Sequence, residues 1–209
     1  MDNSQHWTIR SAGLVAVCAA LLALPVTPAV AGVLAGPITN PANGHLYSLL
    51  DSRSWLASEA EAITLGGHLV TVNNAAENDW LVDTFVPLLP TDGAAPTLWI
   101  GLNDAAHEGV FVWASGEAVT YTHWQAPQQP DNARGNEDYA HIWTPGQLPN
   151  NPELVGQWND AENTGSLIGR PFGVVEVVPE PATGALMFAG LALLGALVQR
   201  MRPTRADRR

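Results

Sequence analysis

The chain reads Leu98-Trp99-Ile100-Gly101-Leu102 near its centre, where a loop that ends at Pro96 gives way to short apolar segments. An apolar run of this length, bounded by turn residues, is typical of a buried strand. Three further segments of the same kind follow at 110–113, 139–143 and 173–177. The second half of the chain is therefore predicted to consist mainly of strands.

The region before this run predicts a strand followed by a helix. Residues 45–50 form a short stretch that is typical of a strand. Residues 52–65 carry apolar side chains four and three positions apart, a spacing that predicts one face of a helix. Gly66-Gly67 ends this helix, because glycine tolerates the left-handed conformation at a helix C-terminus. The residues of the apolar face are Leu56, Ala60 and Ile63, with Trp55 alongside.

A short strand at 68–72 leads into a second predicted helix. Asn74 is a favourable N-cap residue, and Glu77, three positions later, is its capping-box partner. Pro87 ends the helix, whose buried side is predicted to carry Trp80, Leu81, Thr84 and Phe85. Two helices followed by several strands predict an α+β fold.

The N-terminal end has the pattern of a targeting segment. Arg10 precedes an apolar stretch at 12–24, and Ala29-Val30-Ala31 follows as a small-x-small cleavage site. This pattern predicts a secretory signal peptide over residues 1–31, with an unstructured N-terminus as the alternative. Cys18 lies inside the apolar stretch rather than after it, which argues against attachment of a lipid.

The C-terminal end carries a second targeting pattern. Val178-Pro179-Glu180-Pro181 precedes an apolar segment at 182–198 and an arginine-rich tail that ends at residue 209. The apolar segment is at the short end of what spans a bilayer, and the arginines are expected to stay cytoplasmic, which places the preceding domain outside. The alternative to a sorting signal is a plain single-span membrane anchor.

This order of motif, apolar helix and basic tail over 178–209 resembles the PEP-CTERM sorting signals of bacteria. The resemblance implies recognition by an exosortase-type membrane enzyme. It also implies removal of the tail after transient anchoring by helix 182–198, and transfer to the outer surface or an exopolysaccharide matrix.

Residues 32–177 remain as the functional part, and begin with a Gly-, Pro- and Asn-rich stretch at 32–43 that predicts a linker. This part holds 17 acidic residues against three basic ones, a net charge of −14. Such a charge repels nucleic acid and anionic membrane surfaces. It also favours binding of a divalent cation, which would relieve the repulsion among the acidic residues. Because the only cysteine is Cys18, its core or a bound metal must stabilise the domain instead of disulfides.

One long loop, between His123 and Glu137, is rich in Gln, Pro, Asn and Asp and has little apolar content. Loops of this length without regular structure are uncommon unless they bind a ligand. The histidines of the domain show no zinc-like spacing, so none of them is assigned a ligand role.

Six short motifs across residues 44–177 occur in the order found in one known family, and together they resemble a C-type lectin-like domain. The resemblance implies an α+β fold in which two helices flank a short, mostly antiparallel sheet with a long ligand-binding loop. The motifs are 55–60, 66–70, 99–102, 108–113 with 121–124, Gln129-Pro130-Asp131 with Glu137-Asp138, and Trp158-Asn159-Asp160.

The resemblance implies one calcium ion that a sugar coordinates directly through two neighbouring hydroxyls, while the same side chains hydrogen-bond those hydroxyls. Calcium prefers about six to eight oxygen ligands, and carboxylates and amides supply such oxygens without Cys or His. A cis peptide bond before Pro130 is expected, because it turns both neighbouring side chains inward. The alternative is that this loop motif is only a polar turn. The implied ligands are Gln129, Asp131, Glu137, Asn159 and Asp160.

A second set of residues matches positions that hold an auxiliary calcium in some family members: Asp104, Glu108, Asn132, Glu137 and Asp138. Asn132 stands where a carboxylate is usual, and Asp104 and Glu108 are alternatively ordinary surface acids. In the family, the Gln-Pro-Asp order is associated with galactose-type sugars. Galactose binders usually place a tryptophan shortly after this motif, and Asn132-Ala133 stand there instead.

The chain also departs from the animal members of the family in lacking disulfides, and Tyr139 stands where one cysteine is expected. A tryptophan-rich core is predicted to compensate, with Trp99, Trp113 and Trp158 inside and the place of Trp143 left open.

The sequence therefore predicts an exported surface or matrix protein that binds carbohydrate through calcium and catalyses no reaction. The main alternative is a calcium-stabilised module that binds a protein or another surface without sugar. A glycosidase that uses Asp131 and Glu137 is disfavoured, because acids clustered in one loop suit a metal better than the opposed pair that glycoside hydrolysis requires.

Overall fold

The computed structural model describes residues 32–92, 95–145 and 151–179, and within these ranges two helices and eight strands form an α+β fold, as predicted. In chain order the elements are β1 (Val33–Thr39), β2 (Leu46–Ser52), α1 (Trp55–Thr64), β3 (His68–Leu69), α2 (Ala75–Phe85), β4 (Pro96–Asn103), β5 (Val112–Trp113), β6 (Tyr139–Ile142), β7 (Trp158–Ala161) and β8 (Arg170–Val177).

The strands form one sheet with the order β1-β2-β8-β4-β6-β7, to which β3 adds beside β8 and β5 beside β4. Only the pair β4 and β8 runs parallel, and the other described pairs are antiparallel. The mostly antiparallel sheet confirms the predicted fold class. At one edge, the register of β6 and β7 places His141 opposite Asn159.

The apolar run at 98–102 forms the buried part of β4 and connects the sheet to the first helix. The indole nitrogen of Trp55, the first residue of α1, donates a hydrogen bond to the carbonyl oxygen of Ile100 at 2.7 Å. A Cβ atom at Gly101 would lie only 2.4 Å from the carbonyl oxygen of Leu69, so the close approach of the two backbones requires glycine.

Helix α1 forms where it is expected, but its predicted apolar face is not its buried face. Leu56 and Ile63 are 53% and 57% exposed, whereas Trp55, Ser58 and Ala62 are buried. Tight packing against β8 explains the difference, because a Cβ atom at Gly173 would lie 2.9 Å from the Cβ of Ser58. Small residues at this contact, rather than large apolar ones, let the helix approach the sheet.

The linker predicted at 32–43 is also wrong over Val33–Thr39, which form strand β1 and pair with β2. The glycine and proline that suggested a loop, Gly36 and Pro37, lie where the pairing register shifts between Ala35 and Ile38. Because β1 is an edge strand, a proline there costs no hydrogen bond within the sheet. Ala35 and Ile38 pack against the main core.

Helix α2 begins and ends as expected. The side chain of its N-cap residue, Asn74, accepts a hydrogen bond from the Glu77 backbone nitrogen at 3.0 Å. Leu81 and Phe85 are fully buried, and a short 3-10 turn around Pro87 follows the helix.

The predicted tryptophan core is confirmed. Trp99, Trp113 and Trp158 are at most 2% exposed. The indole nitrogen of Trp158 donates to Asn78 Oδ1 at 2.8 Å, which ties β7 to helix α2. Trp143, whose position was left open, is half-buried at the end of β6.

The predicted signal peptide at 1–31, the apolar segment at 182–198 and the basic tail lie outside the described residues. None of the helices in the described part of the chain has the length and hydropathy that crossing a membrane requires.

Candidate metal centre

Three carboxylates meet at the edge of the sheet formed by β6 and β7. Asp131, Glu137 and Asp160 each contribute an oxygen, and these oxygens lie within 4.8 Å of one another. Asp131 belongs to the long loop, Glu137 precedes β6, and Asp160 lies within β7. Glu137 and Asp160 are buried, while Asp131 is exposed to solvent. Within the described ranges, no other group of three or more acidic, histidine or cysteine side chains reaches this spacing.

Backbone hydrogen bonds fold the loop around these carboxylates. The backbone nitrogens of Asp131 and Asn132 donate to the two carboxylate oxygens of Asp160, at 3.3 and 2.8 Å. The backbone nitrogen of Ala133 donates to Glu137 Oε2 at 3.0 Å, and the Glu137 nitrogen donates to Asn132 Oδ1 at 3.1 Å. The acidic side chains therefore hold the loop as well as lining the site.

Burial and mutual repulsion make the carboxylates unfavourable as free anions. Burial raises the pKa of Glu137, and the negative charges of Asp160 and Asp131 raise it further. Burial also raises the pKa of Asp160, against the backbone hydrogen bonds from Asn132 and Asp131 that lower it. A bound cation would relieve both effects, because it neutralises the repulsion and replaces the lost hydration.

Gln129 adds a further oxygen whose state fits a cation site. The peptide bond between Gln129 and Pro130 is cis, as expected from the family resemblance. Gln129 Oε1 is sealed from solvent and accepts no hydrogen bond from the described residues. A buried carbonyl oxygen without a partner costs free energy, and coordination of a cation would satisfy it.

Asn159 lies in β7 directly before Asp160 and is buried. Its Nδ2 atom faces the Asp160 carbonyl oxygen and the Nε2 atom of His141, the latter at 3.1 Å. Both hydrogen bonds of its side chain use Nδ2, so Oδ1 accepts none among the described residues and is available to a ligand.

The second set of sequence-predicted residues is only partly assembled. Asp104 is buried, its Oδ2 accepts a hydrogen bond from the Gly109 nitrogen at 2.8 Å, and its Oδ1 has no partner. The pKa of the exposed Glu108 is raised by partial desolvation and by the nearby charges of Asp104, Asp138 and Asp160. Asn132 instead uses its Oδ1 to hold the Glu137 backbone nitrogen.

Sequence reasoning missed His141, whose ring contacts the side chain of Asn159. Its ring is fully buried. The ring centroid lies 4.5 Å from that of Trp143 and 6.0 Å from that of Trp99, and both tryptophan planes are nearly perpendicular to the imidazole plane. Burial lowers its pKa from 6.5 to about 3, so the ring is neutral. The register of β6 against β7 makes it a neighbour of Asn159, and spacing along the sequence gives no sign of this.

Two family models match parts of the chain. The sequence model described as "Lectin C-type domain" matches residues 51–163, and the one described as "PEP-CTERM protein-sorting motif" matches residues 177–202. The sorting motif indicates that the protein is exported.

The chain is 34% identical to C-type mannose receptor 2 of Homo sapiens over 133 residues, which are 63% of this chain and 8% of the receptor. It is 44% identical over 96 residues to an alpha-N-acetylgalactosamine-specific lectin of Patiria pectinifera, across 45% of this chain and 50% of that lectin. The chain therefore spans at most half the length of these two relatives.

Among solved structures, the C-type lectin CEL-I from Cucumaria echinata is 29% identical, with a TM-score of 0.51. The superposition covers 65% of this chain and 91% of that one. The family model covers more than half of the sequence, and the fold it requires is present. The chain belongs to the C-type lectin domain family.

Proposed function

We propose that the domain binds carbohydrate through one calcium ion. The observation that carries the proposal is the convergence of three carboxylate oxygens within 4.8 Å of one another. The buried, unpaired amide oxygen of Gln129, two residues before Asp131 in the same loop, supports it. Negative charge and amide oxygens are the donor set that calcium prefers, and the absence of Cys and His from the cluster disfavours zinc or copper. The proposed ligands are Gln129, Asp131, Glu137, Asn159 and Asp160.

The buried and exposed residues of the proposed site have different roles in binding. Glu137 and Asp160 are buried and held by backbone hydrogen bonds, so they supply fixed negative charge. Asp131 is exposed, so its carboxylate is within reach of both an ion and a sugar hydroxyl. When bound, the ion supplies open coordination positions for two neighbouring hydroxyls of the sugar.

We propose a galactose-type sugar as the ligand. In Gln129-Pro130-Asp131 the first side chain is an amide, which can donate a hydrogen bond, and the last is a carboxylate, which can only accept one. Their order decides which sugar hydroxyl meets a donor and which meets an acceptor. The relative from Patiria pectinifera, named as specific for alpha-N-acetylgalactosamine, supports this choice. The residue after the motif, Asn132, has a left-handed backbone and gives no aromatic platform for the sugar ring.

A second calcium ion beside the first is proposed at Asp104, Glu108, Asn132, Glu137 and Asp138. The buried, unpaired Oδ1 of Asp104 supports it, because a cation would satisfy that oxygen. Binding there is expected to be weaker than at the first site, because Asn132 contributes no charge.

The proposed setting follows from the sorting motif. We propose that residues 1–31 are removed on export, that residues 44–177 form the binding domain, and that helix 182–198 anchors the chain until an exosortase-type enzyme processes it. The protein then resides on the outer surface or in an exopolysaccharide matrix. A single lectin site binds weakly, so retention there would depend on many copies acting together.

Calorimetry with calcium, followed by a glycan array with and without chelator, tests the proposal. We expect the unaltered protein to bind calcium and to give a chelator-sensitive signal with galactose-type glycans. Asp160→Asn removes one buried charge from the cluster and should weaken calcium binding by at least tenfold. Asp83→Asn, the same change on the exposed side of α2, should leave it unchanged.

Two other outcomes would change the conclusion. Calcium binding without any glycan signal would identify a calcium-stabilised interaction module for protein or another surface. Absence of calcium binding by the unaltered protein would contradict the assignment of the metal site.

A further inference from the structure

We propose that His141 is a positioning residue that fixes the side-chain amide of Asn159, so that Asn159 Oδ1 is always the atom available to the metal site. The inference rests on the proposed calcium function of Asn159 and assigns His141 no contact with the ion or the sugar. Three observations support it: the identity of the contacting atoms, the confinement of the imidazole ring, and the free Oδ1.

The atoms in contact define the direction of the hydrogen bond. Asn159 Nδ2 lies 3.1 Å from His141 Nε2 and also faces the carbonyl oxygen of Asp160. A carbonyl oxygen can only accept a hydrogen bond, so the Asn159 atom between these two groups must be the amide nitrogen. Nε2 of His141 accepts this hydrogen bond in the tautomer that carries the ring proton on Nδ1, and the proposed role assigns His141 this tautomer. Nδ1 is buried and makes no hydrogen bond to the described residues.

The ring cannot move away from this contact. His141 is completely buried, and its centroid lies 4.5 Å from that of Trp143 and 6.0 Å from that of Trp99. Trp143 is itself held by the hydrogen bond from its indole nitrogen to Gln125 Oε1 at 3.0 Å. The acceptor atom that faces Asn159 is thus fixed by packing and not only by its hydrogen bond.

The observed orientation of the amide satisfies both contacts. If the amide of Asn159 turned over, its Oδ1 would face the Asp160 carbonyl oxygen, which can only accept a hydrogen bond, and His141 could donate to Oδ1 only after its ring proton moved from Nδ1 to Nε2. A repulsive contact in a buried place would then replace the hydrogen bond to Asp160. The observed orientation leaves Oδ1 without a donor among the described residues, because the Nδ2 atom occupies the contacts with His141 and Asp160.

The partner of a metal ligand typically contributes about 10–100-fold to metal affinity. We therefore expect His141→Phe, which keeps an aromatic ring between the two tryptophans but has no acceptor, to weaken calcium binding by a factor in this range. His141→Gln should recover most of the affinity, because its side-chain oxygen can accept the hydrogen bond from Asn159 Nδ2. A role in packing alone predicts the opposite order.

The experiment uses the full-length chain in three forms: unaltered, His141→Phe and His141→Gln. Calcium titration by calorimetry gives the affinities, and thermal unfolding in chelator shows that each form is folded. Nitrogen-15 NMR of metal-free, histidine-labelled protein identifies the tautomer of His141, which is expected to carry its proton on Nδ1. This last readout requires neither calcium nor sugar.

Each result decides one question. Any one of three results would overturn the positioning role of His141. The first is equal calcium affinity of the unaltered and His141→Phe proteins, and the second is failure of His141→Gln to restore a lost affinity. The third is a ring proton on Nε2. If the unaltered protein binds no calcium, the proposed function fails instead, and the tautomer still shows whether His141 accepts from Asn159.

Discussion

At the scale of single residues, the burial of His141 has a measurable effect on stability. Burial lowers the pKa of His141 from 6.5 to about 3. Between pH 6.5 and about pH 3, the His141 ring is therefore protonated in the unfolded chain but neutral in the folded one. The contribution of the neutral ring to stability is complete above pH 6.5 and is lost as the pH falls. The loss is at most about 1.4 kcal/mol per pH unit.

We expect the free energy of unfolding, measured by urea denaturation in chelator, to fall more steeply from pH 6.5 to 5 in the unaltered protein than in His141→Phe. Burial raises the pKa of Glu137, Asp160 and Glu176, which gives the opposite slope. These three carboxyl groups are the same in both proteins, so their effect cancels in the comparison. Parallel slopes would show that the His141 ring takes up a proton as readily in the folded protein as in the unfolded chain.

The sequence identifies some residues of the candidate site more readily than others. Asp131, Glu137 and Asp160 stand in short motifs, and the structure brings their carboxylates together. The contact of His141 with Asn159 depends instead on the register of β6 against β7, which no local pattern encodes. The unpaired oxygen of Gln129 likewise depends on the packing around it and not on its neighbours in the chain.

At the scale of elements, helix α1 offers a test of which face is buried. Leu56 and Ile63 are more than half exposed, so replacing both by glutamine should change the free energy of unfolding by no more than about 0.5 kcal/mol. Ala62, one position from Ile63, is fully buried in a cluster with Leu50 and Val175. Ala62→Leu should therefore cost about 1–3 kcal/mol through overpacking.

Urea denaturation of the two α1 variants measures both effects. If the double glutamine variant were as destabilised as Ala62→Leu, the face that the sequence periodicity favours would be the buried one after all. The periodicity of Leu56, Ala60 and Ile63 correctly indicated a helix, although the predicted range 52–65 is longer than the observed Trp55–Thr64. It could not indicate the buried face, because the contact with Gly173 of β8 selects small residues.

Strand β1 shows the same limit for a sheet. Its Gly-Pro pair is typical of loops, and only pairing with β2 makes the segment a strand. The central elements carried stronger signals, since β4 has a continuous apolar run and α2 has an asparagine N-cap with a glutamate three positions later. Edge elements depend on their neighbours, so they are harder to predict than central ones.

At the scale of the whole molecule, stability depends on a core that packs without covalent cross-links. The single cysteine, Cys18, cannot form an internal disulfide. Buried tryptophans fill the centre instead: Trp113 and Trp158 meet edge to face with ring centroids 5.8 Å apart. The partly buried Trp124 packs on Trp158 with ring centroids 5.9 Å apart. Such contacts contribute area burial and favourable aromatic geometry that oxidation or reduction does not change.

We therefore expect the midpoint of thermal unfolding to be the same in oxidising buffer and with a thiol reductant, in the presence of chelator throughout. In a separate series without chelator, adding calcium at constant ionic strength should raise the midpoint, because an ion that binds only the folded state stabilises it. At a calcium concentration of about 100 times its Kd, the free energy of unfolding should increase by about 2.7 kcal/mol. Sodium chloride at the same ionic strength is the control, since screening of the net charge of −11 also stabilises the fold. A midpoint that falls with reductant would contradict a fold held by its tryptophan core. A midpoint that rises equally with sodium and calcium would show that the salt acts only by screening charge and that no calcium binds specifically.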